Sequence, residues 1–449
     1  MLTTNSIKSS VRKTTVDILE RVFADGMYAD EALTKELQRT PFSQLDKSLL
    51  VELVNGTIRW HGQLDFILEQ LCRGNFKTSP LRLKCILEMS LYQIKFLDKV
   101  PTYAAVSQGV EIAKAEGGKP WGNLVNAVLR NYLRKAEKVT LPALAENPAR
   151  ALSIQYSHPE WMVARWLTRY GVEETERLCA FNNERPLMSI RVNGRKTSRE
   201  ILQSKFQQHG IEVEPSRYFG DFFRVKRAGD LPSGSLFQQG YFAIQDESTA
   251  IPCLLLSPQS GDVILDLCAA PGGKTCYLAD LCDDNATIIA VDKSSARLKL
   301  LKQNIVRLGL KSVRTVVADG AHLSLRPVDK ILLDAPCSGL GVLARRTDLR
   351  WKREFKDIHN IQKLQKALLE NADRMLKPGG TLVYSTCTIE PEENETIVRD
   401  FLSLHKNYEL NKSHLLFGET FFSQDGFFRT LPHHHKMDGS FAVKLTKLT

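Results

Sequence analysis

The sequence predicts a multidomain protein in three parts. These are an all-α helical bundle over residues 1–140, a small α+β domain over 151–235, and an α/β domain built on a parallel sheet over 240–449. Three observations carry this. Apolar residues recur at helical spacing through the first third of the chain. A short strand–helix–strand–strand pattern follows. Beyond about residue 240, five apolar strand candidates alternate with helical stretches, the rhythm of a sheet covered on both faces.

In the first part, Val11, Thr15, Ile18 and Val22 share one helical face, while Arg12, Lys13, Asp17 and Arg21 point elsewhere. Ser79-Pro80 reads as an N-cap followed by proline at the first helical position, with Leu83, Leu87, Leu91 and Ile94 as the apolar stripe behind it. A further helix, Trp121 to Leu133, turns Leu124, Val125, Val128, Leu129 and Tyr132 inward. Its Arg130 and Arg134, four apart, share a side, as a solvated face or as phosphate contacts. Nothing in this part looks catalytic.

"SHPEW" opens the second part, where Ser157 and Glu160 have capping-box spacing. Strand "LMSIRVN", a helix capped by Thr197 and Glu200, and strands "IEVE" and "DFFRVK" complete it. "AGDLPSGS" marks the next boundary through its Gly, Pro and Ser content. In the third part the strands are "VILDL", "TIIAV", "VRTVVA", "KILLD" and "TLVYS", with helices over 274–283, 295–308, 358–376 and 393–404. Ligands of such sheets sit beyond the C-terminal strand ends.

The totals narrow the function class. The 449 residues are 43% apolar and 25% charged, open without an apolar signal segment and contain no apolar run long enough to cross a bilayer. A monomeric cytoplasmic protein is expected, with no membrane partner. Nine cysteines without a CxxC or Cys/His ligand spacing predict reduced thiols, neither a disulfide framework nor a metal site. "HHH" at 433–435 lacks companion ligands and reads as a polar loop beside the substrate. The formal charge of +10 fits a polyanionic partner.

"VILDLCAAPGGKT" runs from strand through turn to helix, and Gly272 and Gly273 let the backbone approach a ligand closely. Two ligands fit. A nucleoside triphosphate would use Gly273, Lys274 and Thr275 as a phosphate loop, although its first glycine is replaced by Cys268. S-adenosylmethionine would use the same turn and a second acid on the ribose hydroxyls, and "IIAVD" supplies Asp292 about 20 residues past the turn. Asp319 and Asp334 also end strands, so four successive strands, the first carrying Asp266, end in aspartate. One such Asp would be a turn cap; four together predict a site.

Cys337 in "LLDAPCSG" and Cys387 in "YSTCTIEPEEN" both follow strands, and neighbouring strand ends would bring the thiols into one crevice. A thiolate adding to C6 of a pyrimidine makes C5 nucleophilic enough to take a methyl group. Asp334 is placed to stabilise such an adduct near N3.

The ordered stretches "LDLCAAPGGKT", "VDKSSARL", "LLDAPCSG" and "YSTCTIEPEEN", with "GYFAIQDESTA" upstream, resemble the RNA cytosine-5 methyltransferases. The helical part, through "LYQIKFLDKVPTYAAVSQGVEIAK" and "GNLVNAVLRNYL", resembles the antitermination factor NusB. The combination is similar to bacterial 16S rRNA methyltransferases carrying a NusB-like domain, and the resemblance spans essentially the whole chain. It implies a Rossmann-like class I methyltransferase fold for the third part and methylation of C5 of a cytosine in 16S rRNA, free or in an assembly intermediate. It further implies Cys387 as nucleophile and Cys337 as helper in product release. Cofactor contacts are implied for Cys268, Ala269, Ala270, Pro271, Gly272, Gly273, Lys274, Asp292, Asp319 and Asp334, with S-adenosylmethionine as the cofactor. The chain departs from the family near its end, reading "DGSFAV" from Asp438 where Asp-Gly-Phe-Phe is usual. An RNA-stimulated NTPase and a non-catalytic RNA-binding factor are the alternatives.

Overall fold

The structure, a computed structural model, describes residues 11–72, 76–227, 231, 234–411, 420–421 and 425–449. The "AGDLPSGS" boundary lies mostly outside the described residues. The chain divides into two compact units. One runs to Glu184 and also takes in Leu343–Arg353; the other comprises Arg185–Val342 and Glu354–Thr449.

The first unit is helical: Val11–Ala24, Ala29–Arg39, Gln44–Leu71, Leu81–Phe96, Thr102–Lys135, Pro148–Gln155 and Glu160–Asn183. The expected apolar faces are the core, with Val11, Ile18, Val22, Leu83, Leu87, Leu91, Val125 and Leu129 all buried. Pro80, not Ser79, is the N-cap of its helix. The Trp121–Leu133 helix is the second half of Thr102–Lys135, which kinks where Gly118 adopts φ +71. The Ser157–Glu160 capping box does not form. Pro159, held extended, precedes the helix, and the Ser157 hydroxyl instead accepts from the Gly62 amide at 2.9 Å. Glu160–Asn183, expected in the α+β domain, falls in this helical unit.

Leu343–Arg353 is an excursion from the α/β part that the helical unit absorbs. Arg350 is fully buried and donates to the carbonyls of Arg59 (3.2 Å), Ser157 (3.1 Å), Asn182 (3.0 Å) and Leu343 (3.3 Å), and to Asn183 Oδ1 (2.8 Å). Trp351 Nε1 donates to the Ile58 carbonyl at 2.7 Å, and Asp348 accepts from the Ala29 amide at 3.0 Å.

The second unit holds two sheets. The smaller is antiparallel, with strands β1 (Met188–Val192), β2 (Glu212–Pro215), β3 (Phe222–Arg227) and β4 (Phe242–Ile244) in the order β2-β3-β1-β4. β4 lies in the stretch expected to open the α/β domain; it pairs with β1, so the small sheet reaches past residue 240. The helix Arg199–Gln208 is capped by Ser198, whose hydroxyl accepts from the Ile201 amide, and not by Thr197.

The larger sheet has eight strands: β5 (Val263–Leu267), β6 (Thr287–Asp292), β7 (Val313–Val317), β8 (Val328–Asp334), β9 (Leu376–Thr386), β10 (Tyr408–Leu410), β11 (Phe428–Thr430) and β12 (Ser440–Lys447). Its order is β10-β12-β9-β8-β5-β6-β7, with β11 also on β12. β5 to β9 are parallel, and their double apolar character has a direct cause. Ile264, Leu332 and Val383 pack into one core, while Leu265, Leu333, Leu382 and Tyr384 pack into another. The "DGSFAV" segment enters β12, antiparallel to β9, with Phe441 and Val443 buried. His433–His435 belong to a one-turn helix, Pro432–His435, not a loop.

Replacing Arg350 with Ala leaves several buried carbonyls unpaired at once, so an unfolding cost of about 3 kcal/mol or more is expected from urea titration.

Candidate active site

Parallel pairing in register assembles the site. Asp334 at the end of β8 lies opposite Ser385 on β9, and the Ala335 amide donates to the Ser385 carbonyl at 2.8 Å. Three residues past Asp334 and two past Ser385 the chains remain adjacent, and Cys337 Sγ stands 3.0 Å from Cys387 Sγ. The Cys387 amide donates to Cys337 Sγ at 3.3 Å, and the Gly341 amide donates to the Cys387 carbonyl at 3.1 Å. A Cβ at Gly341 would lie 2.1 Å from the Gly439 carbonyl oxygen, so only glycine permits this approach. All nine cysteines are free; Cys337 and Cys387 are half-buried, whereas Cys85, Cys179, Cys253, Cys276 and Cys282 are buried.

The hydrogen bond to Cys387, burial, and the charges of Cys387 and Glu393 raise the Cys337 thiol well above its ordinary pKa. The Lys274 ammonium, which feels the Cys387 charge, donates to Asp334 Oδ2 at 2.7 Å. Burial works against the Lys274 charge, but the Asp334 carboxylate outweighs it and raises the lysine pKa. Ser385 donates to the other Asp334 oxygen at 2.9 Å.

The turn before Lys274 needs unusual backbone. Cys268 has φ +64, the Ala270–Pro271 peptide is cis, and Gly272 has φ +103. A Cβ at Gly272 would also lie 2.2 Å from Leu301 Cδ1. Asp292, buried at the end of β6, holds this turn by accepting from the Ala270 amide at 3.2 Å, and it accepts from the Ser294 amide at 2.9 Å. Arg297 pairs with Asp292 at 3.5 Å and donates to the Ala270 carbonyl. Asp266 is fully buried beneath the turn, bonded by Thr275 Oγ1 at 2.5 Å, and burial pushes its carboxyl up to about 7. A glycine turn held by an acid on the next strand fits a nucleoside with free ribose hydroxyls. A triphosphate fits less well, because Lys274 is engaged by Asp334.

The expected residues thus separate into groups. Cys337, Cys387, Lys274 and Asp334 lie together, and Cys268–Gly273 join Asp292 beside them. Asp319 is exposed, accepting from the Ala321 amide at 3.0 Å and pairing with His322 at 3.1 Å. Sequence reasoning missed Glu393. This fully buried acid accepts from the Ser338 amide at 2.7 Å and from the Ser338 hydroxyl at 2.5 Å. Its signal was a second acid in "PEEN" six residues past Cys387, at a position the sequence assigned to the start of the 393–404 helix.

Comparison with known proteins shows the family. The description "16S rRNA methyltransferase RsmB/F" matches residues 253–446, the NusB family matches 9–134, and an RsmF/B-like ferredoxin-like domain matches 158–232. A probable ribosomal RNA small subunit methyltransferase B from Synechocystis is 36% identical over 98% of this chain and 99% of its own. The chain belongs to the RsmB/F family of 16S rRNA methyltransferases. RsmB/F membership accounts for the helical, ferredoxin-like and α/β parts in that order, and it removes the NTPase reading. Among solved structures, PH0851 superposes with a TM-score of 0.80 at 26% identity, covering 97% of this chain and 99% of its own. NSun6 from Pyrococcus horikoshii, solved with SFG, has a TM-score of 0.59 at 27% identity over 65% of this chain and 98% of its own.

Two thiols at this separation chelate trivalent arsenic. Phenylarsine oxide is expected to bind the wild-type chain about 100-fold more tightly than either Cys337→Ala or Cys387→Ala, as read by tryptophan fluorescence or intact-mass titration.

Proposed function

We propose that this chain transfers a methyl group from S-adenosylmethionine to C5 of a cytosine in 16S rRNA through a covalent bond between Cys387 and pyrimidine C6. The observation that carries the reading is the 3.0 Å approach of two half-buried thiols beside the Lys274–Asp334 pair. The family supports the rRNA substrate, and the SFG-bound relative supports a nucleoside cofactor at the Cys268–Lys274 turn.

The residues divide the work as follows. Cys387 Sγ, as thiolate, bonds to C6 and leaves C5 electron-rich. The Lys274–Asp334 pair offers a donor and an acceptor to the N3 edge as charge develops there. S-adenosylmethionine, when bound, would supply the methyl group from its electrophilic sulfonium, leaving a neutral thioether. To act as base in the second half of the cycle, Cys337 first gives its own proton to solvent. Cys337 then takes the C5 proton, the C6–S bond breaks, and Cys387 leaves as thiolate. The pair returns to its starting protonation state with one proton released.

Asp292 and the Ala270–Gly273 turn would hold the ribose and the aminoacyl end of the cofactor, with Asp319 near the base. The helical part and the small sheet would supply phosphate contacts to rRNA, free or in an assembly particle. The target base must leave its stack, at a cost of about a few kcal/mol. Among the described residues no helix is long and apolar enough to cross a membrane. The acting form is a monomer in the cytoplasm.

Cys387→Ala is expected to lower methyl transfer to 16S rRNA by about 10³-fold or more, measured by tritium incorporation. Cys337→Ala should instead accumulate a protein–RNA adduct that survives denaturing electrophoresis. The opposite pattern reverses the two roles.

A further inference from the structure

Glu393 lies six residues beyond Cys387 on the segment leaving β9, yet its side chain serves the other thiol. Oε1 accepts from the Ser338 amide at 2.7 Å and from Gln365 Nε2 at 3.3 Å; Oε2 accepts from the Ser338 hydroxyl at 2.5 Å. Gln365, fully buried on the helix Phe355–Arg374, also donates to the Pro336 carbonyl at 2.9 Å. Cys337 is therefore gripped on both sides, at Ser338 by the carboxylate itself and at Pro336 through Gln365.

The grip is tied back to the nucleophile's strand. Tyr384, three residues before Cys387, donates its hydroxyl to the Glu393 carbonyl at 2.6 Å. Thr388, next to Cys387, places Oγ1 2.9 Å from Ser338 Oγ. Thr386 and the Thr388 carbonyl are held by the Asn394 side chain at 2.5 and 2.9 Å. Burying a carboxylate costs free energy, and burial raises the Glu393 carboxyl above its ordinary value; the donors from Ser338 and Gln365 offset part of that cost.

We propose that Glu393 is a positioning residue for Cys337, fixing that thiol against Cys387 so that breakdown of the RNA adduct, more than its formation, depends on it. The proposal rests on the roles given to the two cysteines above. Adduct formation uses Cys387, whose own backbone is set by β9 and by the Gly341 amide. Adduct breakdown needs Cys337 at a defined place beside the bound base, and Glu393 and Gln365 set that place. Glu393 touches no reacting atom in this account. Its charge also adds to the forces that keep the resting proton on Cys337.

The test uses the full-length chain, 16S rRNA transcript and S-adenosylmethionine, comparing wild type with Glu393→Gln, Ser338→Ala, Cys337→Ala and the Cys337→Ala/Glu393→Gln double variant. Gln keeps the size and one acceptor of the carboxylate. Glu393→Gln is expected to form adduct within about twofold of the wild-type rate, with the KM for RNA little changed, and to release it about tenfold more slowly. Ser338→Ala, which loses only the hydroxyl bond, should slow release about threefold and keeps the proposal testable if Glu393→Gln does not fold. The double variant should release no more slowly than Cys337→Ala alone. Adduct release at the wild-type rate in Glu393→Gln, or formation and release falling together with the thermal midpoint, overturns the proposal alone. Absence of any adduct from Cys337→Ala overturns the cysteine roles and the proposal with them.

Discussion

The in-register parallel pairing of β8 with β9 is the constraint on which the site depends. Parallel strands leave a sheet at the same end, so residues just beyond Asp334 and Ser385 must share one rim. The loops that follow carry Cys337 and Cys387, and Gly341 lets them close to a sulfur–sulfur distance of 3.0 Å. A shift of one residue in that register would turn the end of one strand to the other face of the sheet and separate the thiols. The buried residues of β8 and β9, alternating between two cores, protect the register because any slip would exchange those cores.

Electrostatics then makes two chemically identical thiols unequal. Asp334 holds Lys274 charged, while the hydrogen bond to Cys387, burial and the Glu393 charge raise the Cys337 thiol. The same Lys274 lies in the helix that follows the Gly272 turn and is bonded to Asp334, three residues before Cys337. Asp292 and Arg297 brace that turn from the neighbouring strand and helix.

Much of this was legible in the sequence, for physical reasons that particular residues show. Strands with long apolar runs, such as "VILDL" and "KILLD", announce burial on both faces. Cys337 and Cys387 could be placed at one crevice because both directly follow such strands. Local capping was less legible. Ser157 had the right spacing, but its hydroxyl is taken by the Gly62 amide, and Thr197 lost to the adjacent Ser198, since these two caps differ by well under a kcal/mol. β4 was hidden because three residues carry little periodicity, and pairing with β1 is a long-range fact. Glu393 was invisible as a partner of Ser338 for the same reason: the two are 55 positions apart. The departure in "DGSFAV" leaves the packing of the last strand intact, with Phe441, Ala442 and Val443 all buried in β12.

The most direct test of the account is to identify which sulfur bonds to the base. RNA carrying 5-fluorocytidine at the methylated position should trap the wild-type chain, because fluorine at C5 leaves no proton for Cys337 to remove. After digestion, peptide mass spectrometry should find the nucleotide on the peptide containing Cys387. Its attachment to the peptide containing Cys337 would contradict the account.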